Sequence, residues 1–315
     1  MIIMTTILTA CGGAVRLIGT ATALATPSNT ANLSTFTPLS TTSTPTVSPT
    51  PTTTDTPIPS ATPDARIPPE RWREWPVVPT VQPEMKMVFQ HGIELGNNPR
   101  AFVKIGDGEI STVWFLTQYD QGPSNYHLGS YTDLKSVIDN FSGSFSHVGL
   151  AAGRGFTTTI ILGRTSVGTP ECKLSESRLD CELRIFRPSF AIISLGTNQV
   201  SQPEVFEPEL RQITKRLLEV GVVPILSTKA DNLEGNYQIN RIIVQLAHDD
   251  YLPLWNFWRA VQPLPNHGLQ VDNEHLSYAY SDFGDPNVFR YAWPWRNLTV
   301  LQVLDSVSRA VTGKP

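Results

Sequence analysis

The chain has 315 residues, but its composition is so uneven that only the later part is able to build a hydrophobic core. The net charge is −4 and the 24 lysines and arginines are scattered, so no basic surface can follow a phosphate backbone, which excludes nucleic acid as a partner. No run approaches the roughly 18 consecutive apolar residues of a membrane-spanning helix.

Residues 1–19 read as an export signal with a lipidation site. The apolar start closes on Leu8-Thr9-Ala10-Cys11, followed by two glycines, and resembles a bacterial lipobox, in which the cysteine becomes the lipidated first residue of the mature protein. Met1–Ala10 lacks the basic opening of such a signal, so the expected start codon lies upstream. Residues 20–66 are dominated by Thr, Ser, Pro, Ala and Asn, with Pro49-Thr50-Pro51-Thr52-Thr53-Thr54 as the most repetitive stretch. So few apolar groups cannot offset the entropy of ordering, and the prolines favour an extended spacer open to O-glycosylation. Together the two segments predict a stalk that holds an extracytoplasmic domain away from a membrane through a lipid anchor, with secretion as the alternative.

Residues 67–315 form the expected domain. After a lead-in containing Trp72, Trp75, Pro76 and Pro79, short apolar runs alternate with longer amphipathic ones. Strands are predicted at 101–105, 147–151, 189–195, 222–227 and 252–255. Helices are predicted over 208–220, stopped by Gly221, and over 237–247 and 298–311. Strands that alternate with helices imply an α/β fold with a parallel sheet of about five strands covered on both faces, in three layers. In such sheets the ligand site lies beyond the C-terminal strand ends.

Besides Cys11 there are only two cysteines, Cys172 and Cys181, close together in a polar segment. The pair predicts a disulfide of an oxidising compartment, contributing roughly 2 to 3 kcal/mol by closing a short loop. Two cysteines with neither histidine nor further cysteine nearby make a poor metal site.

Three short blocks stand at the strand ends and near the C-terminus: Gly106-Asp107-Gly108-Glu109, Leu195-Gly196-Thr197-Asn198, and Asp272-Asn273-Glu274-His275. In this order the chain resembles the SGNH (GDSL-type) hydrolases, whose blocks are Gly-Asp-Ser, a glycine, Gly-x-Asn and Asp-x-x-His. The resemblance implies the flavodoxin-like α/β/α fold of that superfamily and hydrolysis of carboxylic esters, acyl or acetyl, with esters of carbohydrates among them. It also implies His275 as general base, Asp272 as the carboxylate that orients it, and Gly155 and Asn198 as donors to the oxyanion. Gly153 is a close rival of Gly155. A nucleophile, a base and donors aimed at the developing negative oxygen are what ester hydrolysis requires.

One departure touches the chemistry itself: Gly108 stands where the family has its nucleophilic serine. Three explanations remain open. Ser111, one helical turn along, takes the role; its bland alternative is a helix-capping hydroxyl. His275 and Asp272 activate water directly. Or the domain is a catalytically inactive module that binds a ligand or glycan on the cell envelope. Trp255, Phe257, Trp258, Tyr278 and Tyr280 are candidates for lining a pocket or for ordinary packing. The other histidines show no metal-ligand spacing, so neither metal nor cofactor is expected, and the expected state is a monomer.

Overall fold

The computed structural model describes residues 64–164 and 170–313. Cys11, the export signal and nearly all of the stalk lie outside them.

Four parallel strands stand side by side in sequence order: β1 (Asn98–Gly106), β2 (Pro188–Ser194), β3 (Val223–Ser227) and β4 (Leu254–Trp255). Every residue of β2 and β3 is buried, as befits parallel strands with both faces covered. The helices are α1 (Glu84–Glu94), α2 (Gly108–Ser111), α3 (Lys135–Asn140), α4 (Thr158–Leu162), α5 (Arg178–Phe186), α6 (Pro203–Glu219), α7 (Gln238–Asp249), α8 (Phe257–Val261) and α9 (Ala292–Thr312). Helices α1, α3, α8 and α9 form one packed group and α4 to α7 the other, which gives three layers around the sheet. Among the described residues no helix is long and apolar enough to cross a membrane.

The strand expected at 147–151 is reduced to one parallel bridge, Ala152 beside Gly106, with Gly106 N–H donating to Ala151 at 3.0 Å. Buried Glu182 of α5 explains this. Its carboxylate accepts the Leu150 N–H at 2.7 Å and meets His147 Nε2 at 2.6 Å, so the segment bends toward α5 instead of running along β1. The sheet therefore has four strands rather than about five. The chain still passes from β1 to this edge and then back across to β2, so the direction of winding reverses beside β1. At such a reversal the strand ends leave a crevice.

Two helices begin earlier than the sequence pattern predicts. Helix α6 starts at Pro203 and carries Pro208 inside it, and α9 starts at Ala292 with Pro294 in its first turn. Pro203 and Pro294 sit in first turns, where a missing N–H costs no intrahelical bond, whereas Pro208, the sixth residue of α6, gives up the bond to the Glu204 carbonyl and the helix continues through it. Trp72 of the lead-in is also part of the core. It is 4% exposed, packs edge-on against Trp258 at 4.6 Å and lies 5.8 Å from Tyr237. Contact with the domain begins at Asp64, whose Oδ2 lies 3.5 Å from His248 Nε2, and continues at Arg66, which donates to the His248 carbonyl at 2.6 Å. Cys172 and Cys181 are joined in a disulfide, with Cα atoms 5.4 Å apart.

Candidate active site

A cleft of about 810 Å³ opens at the C-terminal ends of β1 and β2. Gly108, Ser111, Gly155, Asn198 and His275 all line it, although they come from four separate segments of the chain. Asp272 stands behind His275. The approach of β1 to β2 fixes the floor: a Cβ on Gly106 would lie 2.0 Å from the Ser194 carbonyl oxygen, so only glycine fits there.

The loop after β4 and α8 supplies the acid-base pair. Asp272 Oδ2 lies 2.8 Å from His275 Nδ1, while Asp272 Oδ1 accepts the N–H groups of Glu274 and His275 at 3.0 and 3.1 Å. Those bonds hold the Asp272 carboxyl down at about 2, and the same carboxylate raises His275 above the ordinary histidine value. The imidazole is thus oriented through Nδ1, leaving Nε2 without a protein partner among the described residues.

The same cleft carries hydrogen-bond donors. Gly155 sits at φ 74°, where an L side chain is strained, and a Cβ there would meet nothing within 4 Å. Among the described residues, neither Gly108 nor Gly155 spends its N–H on a protein acceptor. Gly153, by contrast, donates to the Gly106 carbonyl at 3.0 Å and is absent from the cleft lining. The two candidate glycines are thereby distinguished: the N–H of Gly155 is open, that of Gly153 is engaged. Asn198 Nδ2 donates to Phe156 O at 3.3 Å, which orients the amide and leaves its second hydrogen for a ligand. Asn198 follows Thr197, whose hydroxyl donates to Asp231 at 2.8 Å; buried Lys229 clamps Asp231 and Glu234 at 2.5 and 2.6 Å.

Gly108 opens α2, which Asp107 caps by accepting the Glu109 N–H at 3.1 Å. The backbone there is not in the left-handed region, and a Cβ would meet only Arg154 Cα and Cγ, each at 3.9 Å. A serine side chain would fit without strain. Ser111 donates its hydroxyl to the Gly108 carbonyl at 3.3 Å, a local backbone bond, and makes no bond to His275.

Beneath these residues lies a charge that sequence reading missed. Arg296 of α9 is fully buried, with its guanidinium within 6 Å of the ring centroids of Phe115, Trp255, Phe257 and Trp293. It donates to Ser194 Oγ at 2.9 Å and stands 3.7 Å from Glu109. Burial pushes Asp107 up to about 6 and Glu109 up to about 7, in both cases against the pull of Arg296, even though Glu109 keeps 27% side-chain exposure at the cleft. The carboxylate following Gly108 was visible in the sequence, but an arginine in a helix that also carries Asp305 and Arg309 gave no sign that it pointed inward. Trp255 and Phe257 belong to the core, whereas Tyr278 and Tyr280 are 44% and 50% exposed beside the cleft.

No protein-family model and no curated protein sequence matches the chain. Among solved structures it is similar to TesA, with 18% identity over 66% of this chain and 99% of that one, at a TM-score of 0.43. It is similar to the psychrotrophic esterase EstA from Pseudoalteromonas sp., with 16% identity over 65% and 97% and a TM-score of 0.40. An acetyl xylan esterase, AlAXEase, gives 14% identity over 64% and 97%, with a TM-score of 0.41. These resemblances are distant, and the functional reading rests on the residues of the cleft.

Proposed function

We propose that the domain is an SGNH-type hydrolase of carboxylic esters in which water takes the place of the missing serine. One observation carries the reading: the Asp272–His275 pair faces, across a single cleft, the open N–H groups of Gly108 and Gly155 and the Asn198 amide. An acyl group seated there has its carbonyl oxygen among three donors and its carbonyl carbon in the space above Gly108. Neutral His275 takes a proton from water as the water oxygen bonds to that carbon. The carbonyl π pair moves onto oxygen and is held by the three donors. On collapse the alkoxide leaves and takes the proton from His275, and the acid product ionises into solvent.

No covalent acyl-enzyme forms on this route, and Ser111, already bonded to the Gly108 carbonyl, is left out of it. Without a serine nucleophile the rate rests on His275 as general base, a contribution of about 10²–10⁴-fold, together with the oxyanion donors, so a slow enzyme is expected. The Cys172–Cys181 disulfide supports an oxidising, extracytoplasmic location, in keeping with the lipobox and stalk. The second reading, a binding module without turnover, draws its support from Gly108 itself.

The deciding measurement is hydrolysis of p-nitrophenyl acetate by the purified protein, beside His275→Ala and Asn198→Ala. The proposal expects slow turnover that His275→Ala abolishes and that Asn198→Ala reduces by about 10²-fold, as for removal of one oxyanion donor. Turnover indistinguishable from His275→Ala sinks the hydrolase and leaves the binding module.

A further inference from the structure

A second, smaller groove adjoins the cleft and shares Trp114, Tyr278 and Trp293 with it; Gln118, Gln121 and Tyr280 complete most of its wall. Trp114 is 48% exposed and lies 4.5 Å, centroid to centroid, from Tyr278 at an angle of 60°. Exposed tryptophan beside exposed tyrosine is apolar surface that folding alone would have covered.

The groove is also rigidly built. Asn297 of α9, only 1% exposed, accepts the Leu116 N–H at 3.1 Å and donates to Trp114 O at 2.9 Å and Ser281 Oγ at 2.8 Å. One buried amide thus ties the loop that presents Trp114 to the loop that presents Tyr278 and Tyr280. Gln118 Nε2 donates to Ser281 O at 3.1 Å, which leaves Oε1 as an acceptor, and the Gln121 side chain has no protein partner among the described residues.

We propose that this groove is a subsite for a neutral sugar ring, adjacent to the ester-bearing residue of a carbohydrate substrate held in the cleft; the inference rests on the hydrolase reading for its link to chemistry. The chemistry of the wall selects that occupant. No charged side chain lines the groove, so an anionic ligand has no counter-ion. A fatty acyl chain is served by a wall without polar groups, whereas here amides and phenol hydroxyls edge the rings. A pyranose presents an apolar C–H face to stack on Trp114 and Tyr278 and a rim of hydroxyls for Gln118 and Gln121, so both of its surfaces find partners. Continuity with the cleft through Trp114 and Tyr278 makes the two sites parts of one extended substrate channel.

The test is titration of the full protein, followed by tryptophan fluorescence and calorimetry, with decanoate as the acyl control and with three sugars, xylohexaose, cellohexaose and chitohexaose, that carry no cleavable ester of the proposed kind. At least one is expected to bind, and Trp114→Ala to weaken that binding at least about tenfold, equivalent to about 1.4 kcal/mol, with an unchanged melting temperature. Tyr278→Ala is the second variant and is expected to weaken it in the same direction. The subsite is overturned by the absence of binding of all three at millimolar concentration, by binding that both variants leave intact, or by a signal seen only with decanoate, which would mark an acyl groove. Because these sugars are bound and not hydrolysed, the result is independent of turnover: sugar binding without esterase activity sinks the hydrolase alone, and esterase activity without sugar binding sinks the subsite alone.

Discussion

Asp272 grips His275 twice, through Nδ1 at 2.8 Å and through the backbone N–H at 3.1 Å, so the imidazole is held in one orientation by a carboxylate that stays ionised down to about pH 2. Because that carboxylate raises His275, the imidazole loses its proton at a pH above the ordinary histidine value. The base must be neutral to accept a proton, so kcat/KM for p-nitrophenyl acetate is expected to rise with pH along a limb whose midpoint lies above about 6.5. In Asp272→Asn the limb should move to lower pH and the plateau fall by roughly 10²–10⁴-fold, as when the orienting carboxylate of a triad is removed. A pH profile unmoved by Asp272→Asn would show that another group carries the proton.

Glu109 gives a stability prediction of definite sign. Its carboxyl is raised by burial to about 7 in the folded protein, against 4.5 in an unfolded chain. Between those values the folded state keeps a proton that the unfolded state has released, so folding loses stability as pH rises through this window. Glu109→Gln removes that dependence. Urea unfolding at pH 4 and pH 8 should therefore show the variant gaining on wild type by about 2–3 kcal/mol between the two, the 27% exposure keeping the figure at the low end. Parallel slopes for the two proteins would place Glu109 in a more solvated setting than the cleft implies.

Much of this was legible in the chain before folding. Strands β2 and β3 are continuous apolar runs closed by polar residues, and the pairing of Asp272 with His275, which the family resemblance implied, is present as a 2.8 Å contact. The illegible parts are those decided by partners distant in sequence. The segment 147–151 is apolar enough for a strand but is bent away by Glu182, a residue 32 positions from Leu150. Arg296 gives no local sign of burial, yet it is enclosed by aromatic rings from β4, α8, the loop after α2 and its own helix. The choice between Gly153 and Gly155 turned on one backbone bond to Gly106, which no local pattern records.

The disulfide fastens the start of α5, the helix whose Glu182 shapes the edge of the sheet. Cys181 is fully buried and nine residues from Cys172, so the closed loop is short. On the chain-entropy account, reduction or the paired Cys172→Ser and Cys181→Ser substitutions should lower the unfolding free energy by about 2–3 kcal/mol. Matching denaturation midpoints with and without reductant would mean that the loop is ordered by other contacts, such as the Glu176–Arg184 pair at 2.5 Å.

Gly108 offers the most direct interrogation of the cleft. Its backbone lies outside the left-handed region and the space for a Cβ is clear to 3.9 Å, so nothing in the fold demands glycine there. The capping bond from the Glu109 N–H to the Asp107 carboxylate does not involve the side chain at 108, so a serine there leaves it in place. Gly108→Ser should consequently fold with an unchanged melting temperature and bring a hydroxyl into the cleft that also holds His275 and the three donors. If His275 is placed as a base, the hydroxyl becomes nucleophilic, and hydrolysis of p-nitrophenyl acetate should rise by about 10²-fold or more over wild type. The same variant should take up one fluorophosphonate, read by intact-protein mass, while wild type and Gly108→Ser/His275→Ala do not. Labelling of wild type would instead point to Ser111 as a working nucleophile and overturn the water mechanism. A well-folded Gly108→Ser that neither hydrolyses nor labels would mean that His275 does not reach the vacated position, and both hydrolytic routes would fall together.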